Sequence, residues 1–152
     1  MAINPNTNFT ALSPVSADQM NRFPRGVMAL ASYTGGNYTL NAGTHDFTSM
    51  SVTFTAVANR NYRCSWNVTG QKLTNQGYVQ VALSTGANVQ ISQVISTAGA
   101  ALYFNTSSMV VTTFAAGSQT IKLRAEIQNN SASFYAAANS PMQLVVEDIG
   151  PA

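Results

Sequence analysis

The sequence predicts an all-β protein: an antiparallel β-sandwich, jelly-roll-like, with an extended N-terminal arm and one short helix. Three observations carry that prediction. First, residues 121–128 read Ile-Lys-Leu-Arg-Ala-Glu-Ile-Gln, with Ile121, Leu123, Ala125 and Ile127 on one side and Lys122, Arg124, Glu126 and Gln128 on the other. A pure period of two is a strand with one dry and one wet face. Second, residues 47–56 and 60–69 alternate in the same way. Third, turn-rich clusters of Gly, Asn and Ser recur roughly every 8–12 residues, and no long amphipathic helix interrupts them. Without an internal repeat, propellers and solenoids do not fit.

Composition bounds the class. A chain of 152 residues is one domain with room for a sizeable core. Only 8% of its residues are charged, against about a quarter in an average soluble domain. Asn, Thr, Ser and Gln fill the deficit. Such a surface fits a protein that packs against neighbours, and equally a secreted-type β domain. No apolar run approaches the ~20 residues of a spanning helix, so no membrane insertion is expected. The net charge is +2 and the seven basic residues are scattered. Arg60 with Arg63 and Arg22 with Arg25 do not make a basic stripe, so no nucleic-acid partner is expected. Cys64 is the single cysteine and cannot form an internal disulfide. Residues 1–10 lack the basic and apolar regions of a secretory signal. A leaderless, disulfide-free β chain is expected of a virion protein assembled in the host cytoplasm and released by lysis.

Taken in order, residues 1–10 are polar and irregular and read as an arm whose ordering requires a partner. Ser16 followed by Gln19 is a capping-box pattern, and Asp18 falls in the first helical turn. The helix is about two turns long, because Pro24 disfavours helical geometry at Phe23, and one so short is stable only when docked. The apolar residues Phe9, Leu12, Val15, Met20 and Phe23 are the candidates for anchoring it. Residues 1–23 therefore form an anchor and residues 24–152 the sandwich.

Strands are expected at 27–33, briefly at 38–40, at 47–56, 60–69, 78–84, 89–95, 101–105, 109–114, 121–128, 134–138 and 142–149. Several of these are marginal, and about nine or ten form the sandwich. Turns are expected at 35–37, 41–43, 106–108 and 129–131, a polar loop over 70–77, and a hairpin turn at Thr85-Gly86-Ala87-Asn88. Val89, Ile91 and Ile95 are expected to align on one face.

Few residues suggest chemistry. His45-Asp46, in an expected loop, lacks the further ligands a metal site needs. Cys64 shares its face with Tyr62 and Trp66, which predicts a buried thiol rather than a nucleophile. A serine triad would need His45, and no Gly-x-Ser-x-Gly elbow is present. Glu147 and Asp148 are neighbours on a strand and face opposite ways. Glu126 either pairs with one of them across strands or bridges to Arg124 or Arg63. No enzyme activity and no cofactor are expected. Tyr33, Tyr38, Tyr78 and Tyr103 are candidates for stacking on a sugar at a loop end, or else ordinary half-buried strand tyrosines.

Several segments together resemble a known family. Ala17-Asp18-Gln19-Met20-Asn21 is similar to the Ala-Asp-x-x-Asn segment that often precedes the folded domain of tailed-phage virion proteins. Pro24-Arg25-Gly26-Val27, Ser51-Val52-Thr53-Phe54-Thr55-Ala56, Arg60-Asn61-Tyr62-Arg63, Ala116-Gly117-Ser118-Gln119-Thr120, Lys122-Leu123-Arg124-Ala125 and the ending Leu144–Pro151 follow in order. The set resembles the β-sandwich domain of minor tail and other virion-surface proteins of actinobacterial phages. That resemblance implies a structural and attachment role on a tail or as a capsid decoration. It implies other virion proteins as partners, a homo-oligomer, commonly a trimer, formed through a sheet face or edge, and host-surface glycan as a further partner. It implies no catalytic residue. A free carbohydrate-binding module is the alternative.

Overall fold

A computed structural model of the chain describes residues 23–73, 77–97 and 103–152. The expected arm and helix, with Phe9, Leu12, Val15 and Met20, lie outside the described residues. Eight strands follow: β1 (Gly26–Tyr33), β2 (Tyr38–Ala56), β3 (Arg60–Lys72), β4 (Val79–Thr85), β5 (Gln90–Ser96), β6 (Tyr103–Thr112), β7 (Gly117–Tyr135) and β8 (Met142–Pro151).

Every pairing is antiparallel. One layer runs β1-β8-β3-β6 and the other β2-β7-β4-β5. This is the strand order of a jelly roll, two Greek keys folded face to face. The layers join at one end. There β3 pairs with β8 as far as Asn67, and from Thr69 to Lys72 its partner is β7.

The alternation seen in the sequence sorts the layers. Tyr62, Cys64, Trp66 and Val68 of β3 face Ile121, Leu123, Ala125 and Ile127 of β7 in one core, with Leu144 and Val146 of β8. All are buried, so each sheet keeps only one wet face. Tyr62 buries its ring, and its hydroxyl accepts the Val57 N–H at 2.8 Å. Its ring lies 5.5 Å from Phe54 and 5.6 Å from Phe114.

The strand count differs from expectation because several apparent turns lie within continuous strands, some of them as bulges. Residues 38–40 and 47–56 belong to the single strand β2, which runs through 41–43. Between Asp46 and Ser51, four residues of β2 oppose only Leu123 of β7. The excess turns both Phe47 and Met50 into the core. His45 and Asp46 are accordingly in a strand, not a loop. Asn129, at φ 61°, sits in a bulge of β7, so 129–131 does not end that strand. Residues 106–108 stay within β6, because each pairs with β3 and Thr106 donates to the Val68 carbonyl at 3.4 Å. The Thr85–Asn88 hairpin forms as expected, with the Asn88 N–H on the Thr85 carbonyl at 2.9 Å. Beyond it a register shift opposite Leu83 and Ser84 breaks the alternation of β5. Ile91 and Val94 pack on the core, while Val89 and Ile95 are exposed, so the three expected to align do not.

Candidate functional site

Three surface features stand out: the start of the described chain at Phe23, and the outer face of each layer.

The junction is built on a buried ion pair. Arg60 opens β3 and Asp148 lies near the end of β8, 88 positions away. Arg60 Nε reaches Asp148 Oδ2 at 2.5 Å and Nη2 reaches Oδ1 at 2.7 Å. A bidentate fork of this kind is the geometry in which a desolvated pair holds. Nη2 also donates to the Phe23 carbonyl at 2.6 Å, and Asp148 Oδ1 accepts the Gly150 N–H at 3.0 Å. The chain entering from residue 22 is thus tied to the fold at its first described residue. Phe23 itself leaves its side chain exposed.

The outer face of β1-β8-β3-β6 carries an apolar row. Leu30 pairs with Val145, Val145 with Ser65, and Ser65 with Met109. Leu30 and Met109 at the two ends are 56% and 63% exposed, while Val145 and the one polar member, Ser65, are half-buried between them. The next row is Val27, Glu147, Arg63 and Val111. A bulge between Val27 and Ala29 brings Val27 and Leu30, three residues apart, to the same face. Arg63 Nε donates to Glu147 Oε2 at 2.7 Å. That bond lowers the carboxyl's pKa and raises that of the guanidinium.

The outer face of β2-β7-β4-β5 is polar. Asp46 accepts from Lys122 at 2.5 Å and from Arg124 Nε at 2.8 Å. The Lys122 bond is the main cause that lowers the Asp46 pKa, against partial burial, with Arg124 adding to it. Tyr78 O–H donates to Glu126 Oε1 at 2.6 Å, which raises the phenol's pKa. Of the partners considered for Glu126, Arg124 therefore goes to Asp46 and Arg63 to Glu147. Beside these groups lies a cleft of about 210 Å³ floored by Ala82 and Ser84.

Asp46 and Glu147 both have lowered pKa values. Each therefore contributes stability that is fully present above the unfolded carboxyl pKa, about 4, and is lost as pH falls through the folded value. Both pairs are partly solvated, so screening keeps the effect small. A carbon-13 NMR titration of the side-chain carboxyls should place both below ordinary Asp and Glu. Normal titration of either would contradict its ion pair.

Tyr33, Tyr78 and Tyr103 do not converge. Tyr33 ends β1 and lines a pocket with Leu40, Asp46, Thr48 and Ser49. Tyr38 opens β2, and Tyr78 lies beside Glu126 on the polar face. Tyr103 is on the edge strand β6, its ring 5.5 Å from Tyr135, whose hydroxyl donates to Gln71 Oε1 at 2.5 Å. Cys64 is buried among apolar side chains, which push its thiol up to about 12. It should resist a disulfide-exchange reagent such as DTNB in the folded protein and react within minutes in denaturant. Fast reaction without denaturant would place it elsewhere. Among the described residues, no three of His, Cys, Asp and Glu cluster as metal ligands would.

Sequence reasoning passed over the Arg60–Asp148 pair and the apolar row. The row left one signal, Met109 and Val111 on the alternate positions where Asn105 and Ser107 are polar.

No family model and no curated protein matches the sequence. The fold has counterparts among solved structures. The chain is similar to the Eiger TNF of S. frugiperda, at TM-score 0.55 and 12% identity, over 84% of this chain and 96% of that one. It is also similar to the dimeric latent PorU of Porphyromonas gingivalis, at TM-score 0.51 and 9% identity, over 84% of this chain but 13% of that one. Viral particle proteins are among the neighbours too. The VP2 subviral particle of infectious bursal disease virus has TM-score 0.45 and 10% identity, over 83% of this chain and 38% of that one. At these identities the likeness concerns the fold.

Proposed function

We propose that this chain is a non-enzymatic structural protein of the tailed-phage virion surface, of the minor tail or capsid-decoration kind. It docks onto other virion proteins through residues 1–23 and displays the sandwich outward. The observation that carries this reading is the apolar row across the outer face of β1-β8-β3-β6, on the layer whose ion pair holds the incoming chain at Phe23. Exposed apolar side chains gathered on one face of a sheet mark an interaction surface. Its occupant is a second copy of the chain. Arg63 and Glu147, the charges in the middle of the face, neutralise each other. The face therefore calls for no oppositely charged partner, and like copies do not repel. The sequence resemblance supports a trimer formed through a sheet face or edge, with glycan contact at the host surface as the role of a tail location.

Two measurements test the proposal. Light scattering on the purified chain should give about three times its 16.1 kDa mass, and Leu30→Glu combined with Met109→Glu should give a folded monomer. A wild-type monomer at micromolar concentration refutes the interface. Peptide mass spectrometry of purified particles of the encoding phage should find the chain at fixed stoichiometry, and its recovery only in the soluble lysate refutes the virion role.

A further inference from the structure

The cleft on the polar face sets small side chains beneath long ones. Ala82 and Ser84 point outward from β4 yet are only 5% and 2% exposed. An outward position becomes that buried only when its neighbours rise around it. The floor is made of small side chains and the walls of long ones: Arg124 and Glu126 on β7, Gln80 on β4 and Gln90 on β5. The register explains the arrangement. Ala82 lies opposite Arg124, Gln80 opposite Glu126, and Ser84 opposite Gln90.

The walls are held in place. Tyr78 fixes Glu126 through Oε1, and Asp46 fixes Arg124 through Nε. Gln80 Nε2 donates to Gln90 Oε1 at 3.4 Å. Asn88, at φ 66°, closes one end where the hairpin turns. A wall whose side chains are already ordered loses little entropy when a ligand arrives.

Size and charge narrow the ligand. At about 210 Å³ the cleft is smaller than the ~300–1,000 Å³ of sites for drug-sized molecules. It has room for one six-membered ring. Its lining offers no apolar anchor. Its one lining cation, Arg124, lies beside the lining carboxylate of Glu126 and already bonds Asp46, so a phosphate would compete for the guanidinium and face the Glu126 carboxylate. What remains is a ligand whose groups both donate and accept. A hydroxyl does both, the guanidinium only donates, and the carboxylate only accepts. Arg124 and Glu126 are two positions apart on one strand, about 7 Å, a span suited to hydroxyls on different edges of one ring.

We propose that the cleft bounded by Gln80, Gln90, Arg124 and Glu126 over Ala82 and Ser84 is a binding site for a single pyranose ring of a neutral sugar. The site is complete within one chain. It lies on the layer opposite the apolar face, so an oligomer built there leaves it open, and it does not depend on the virion reading.

The test is a nitrogen-15 NMR titration of the full chain with glucose, galactose, mannose and N-acetylglucosamine, each to tens of millimolar, with inorganic phosphate as a separate arm. At least one sugar should bind with a millimolar Kd and shift amides of residues 80–90 and 124–126. Glu126→Gln should weaken that sugar at least tenfold, and Ala82→Leu, which fills the floor, should abolish its binding while the spectrum stays folded. Silence from all four sugars, shifts centred elsewhere, tighter binding of phosphate than of any sugar, or unchanged affinity in both variants would each overturn the assignment.

Discussion

Replacing Arg60 by Met should lower the free energy of unfolding by roughly 3–5 kcal/mol, the cost of leaving one member of a buried ion pair without its partner. Asp148 has a fully buried side chain, and Arg60 is the partner that meets both of its oxygens. Arg25 Nε also lies 4.0 Å from Asp148 Oδ2, but its side chain is 43% exposed, so it makes up only part of the lost pairing. The substitution also removes the donor to the Phe23 carbonyl. Urea unfolding reads the first effect as a lower midpoint, and hydrogen exchange at residues 25–27 reads the second as faster local opening. Joining Arg60→Met with Asp148→Leu should restore most of the stability, because two apolar side chains of similar size leave no charge stranded. The double variant should still exchange faster than the wild type at 25–27, since the Arg60 donor to the Phe23 carbonyl is gone. A single variant as stable as the wild type would show that the pair contributes nothing. A double variant with full protection there would show that the junction does not depend on Arg60.

Phe134→Ala should cost about 3–5 kcal/mol, the range for truncating a buried phenylalanine. Phe134 is fully buried where the two layers join. Its ring meets Phe47 edge to face at 4.8 Å and Phe104 at 5.9 Å, arrangements that add to plain area burial. The cavity has little chance to collapse, because β3 and β7 are paired at this point. Gly70 opposes Phe134 across that pairing and provides an independent check. A Cβ there would lie 2.5 Å from the Phe104 ring and 2.8 Å from the Ser133 carbonyl. Alanine normally improves on glycine in a strand by about 0.5–1 kcal/mol, yet Gly70→Ala should destabilise. Thermal melts of both variants decide it: a loss below about 1 kcal/mol for Phe134→Ala, or a gain for Gly70→Ala, would mean that the junction is loosely packed.

Residues 121–128 and 60–69 show how far local pattern reaches. Their alternation specified strands, assigned the dry face correctly and placed Cys64 inside. Side chains on a strand project to opposite faces in turn whatever the partner, so burial can be read before the fold is known. The same reasoning failed at 41–43, 106–108 and 129–131, where residues common in turns stand within continuous strands. A turn and a bulge use the same residue types and the same left-handed backbone, as at Asn129. What separates them is whether a neighbouring strand continues the hydrogen bonding, and that strand lies far away in sequence.

Legible in the chain alone were its class, its single core and the facing of most strand residues, because these follow from backbone periodicity and the cost of burying polar groups. The pairing of Arg60 with Asp148, the gathering of Leu30 and Met109 into one row, and the sinking of Ala82 and Ser84 beneath Arg124 and Glu126 came from the folded molecule. Each depends on register between strands. Register is set by bulges that shift one strand against another by a single residue, and such a shift carries a side chain from one face of the sheet to the other.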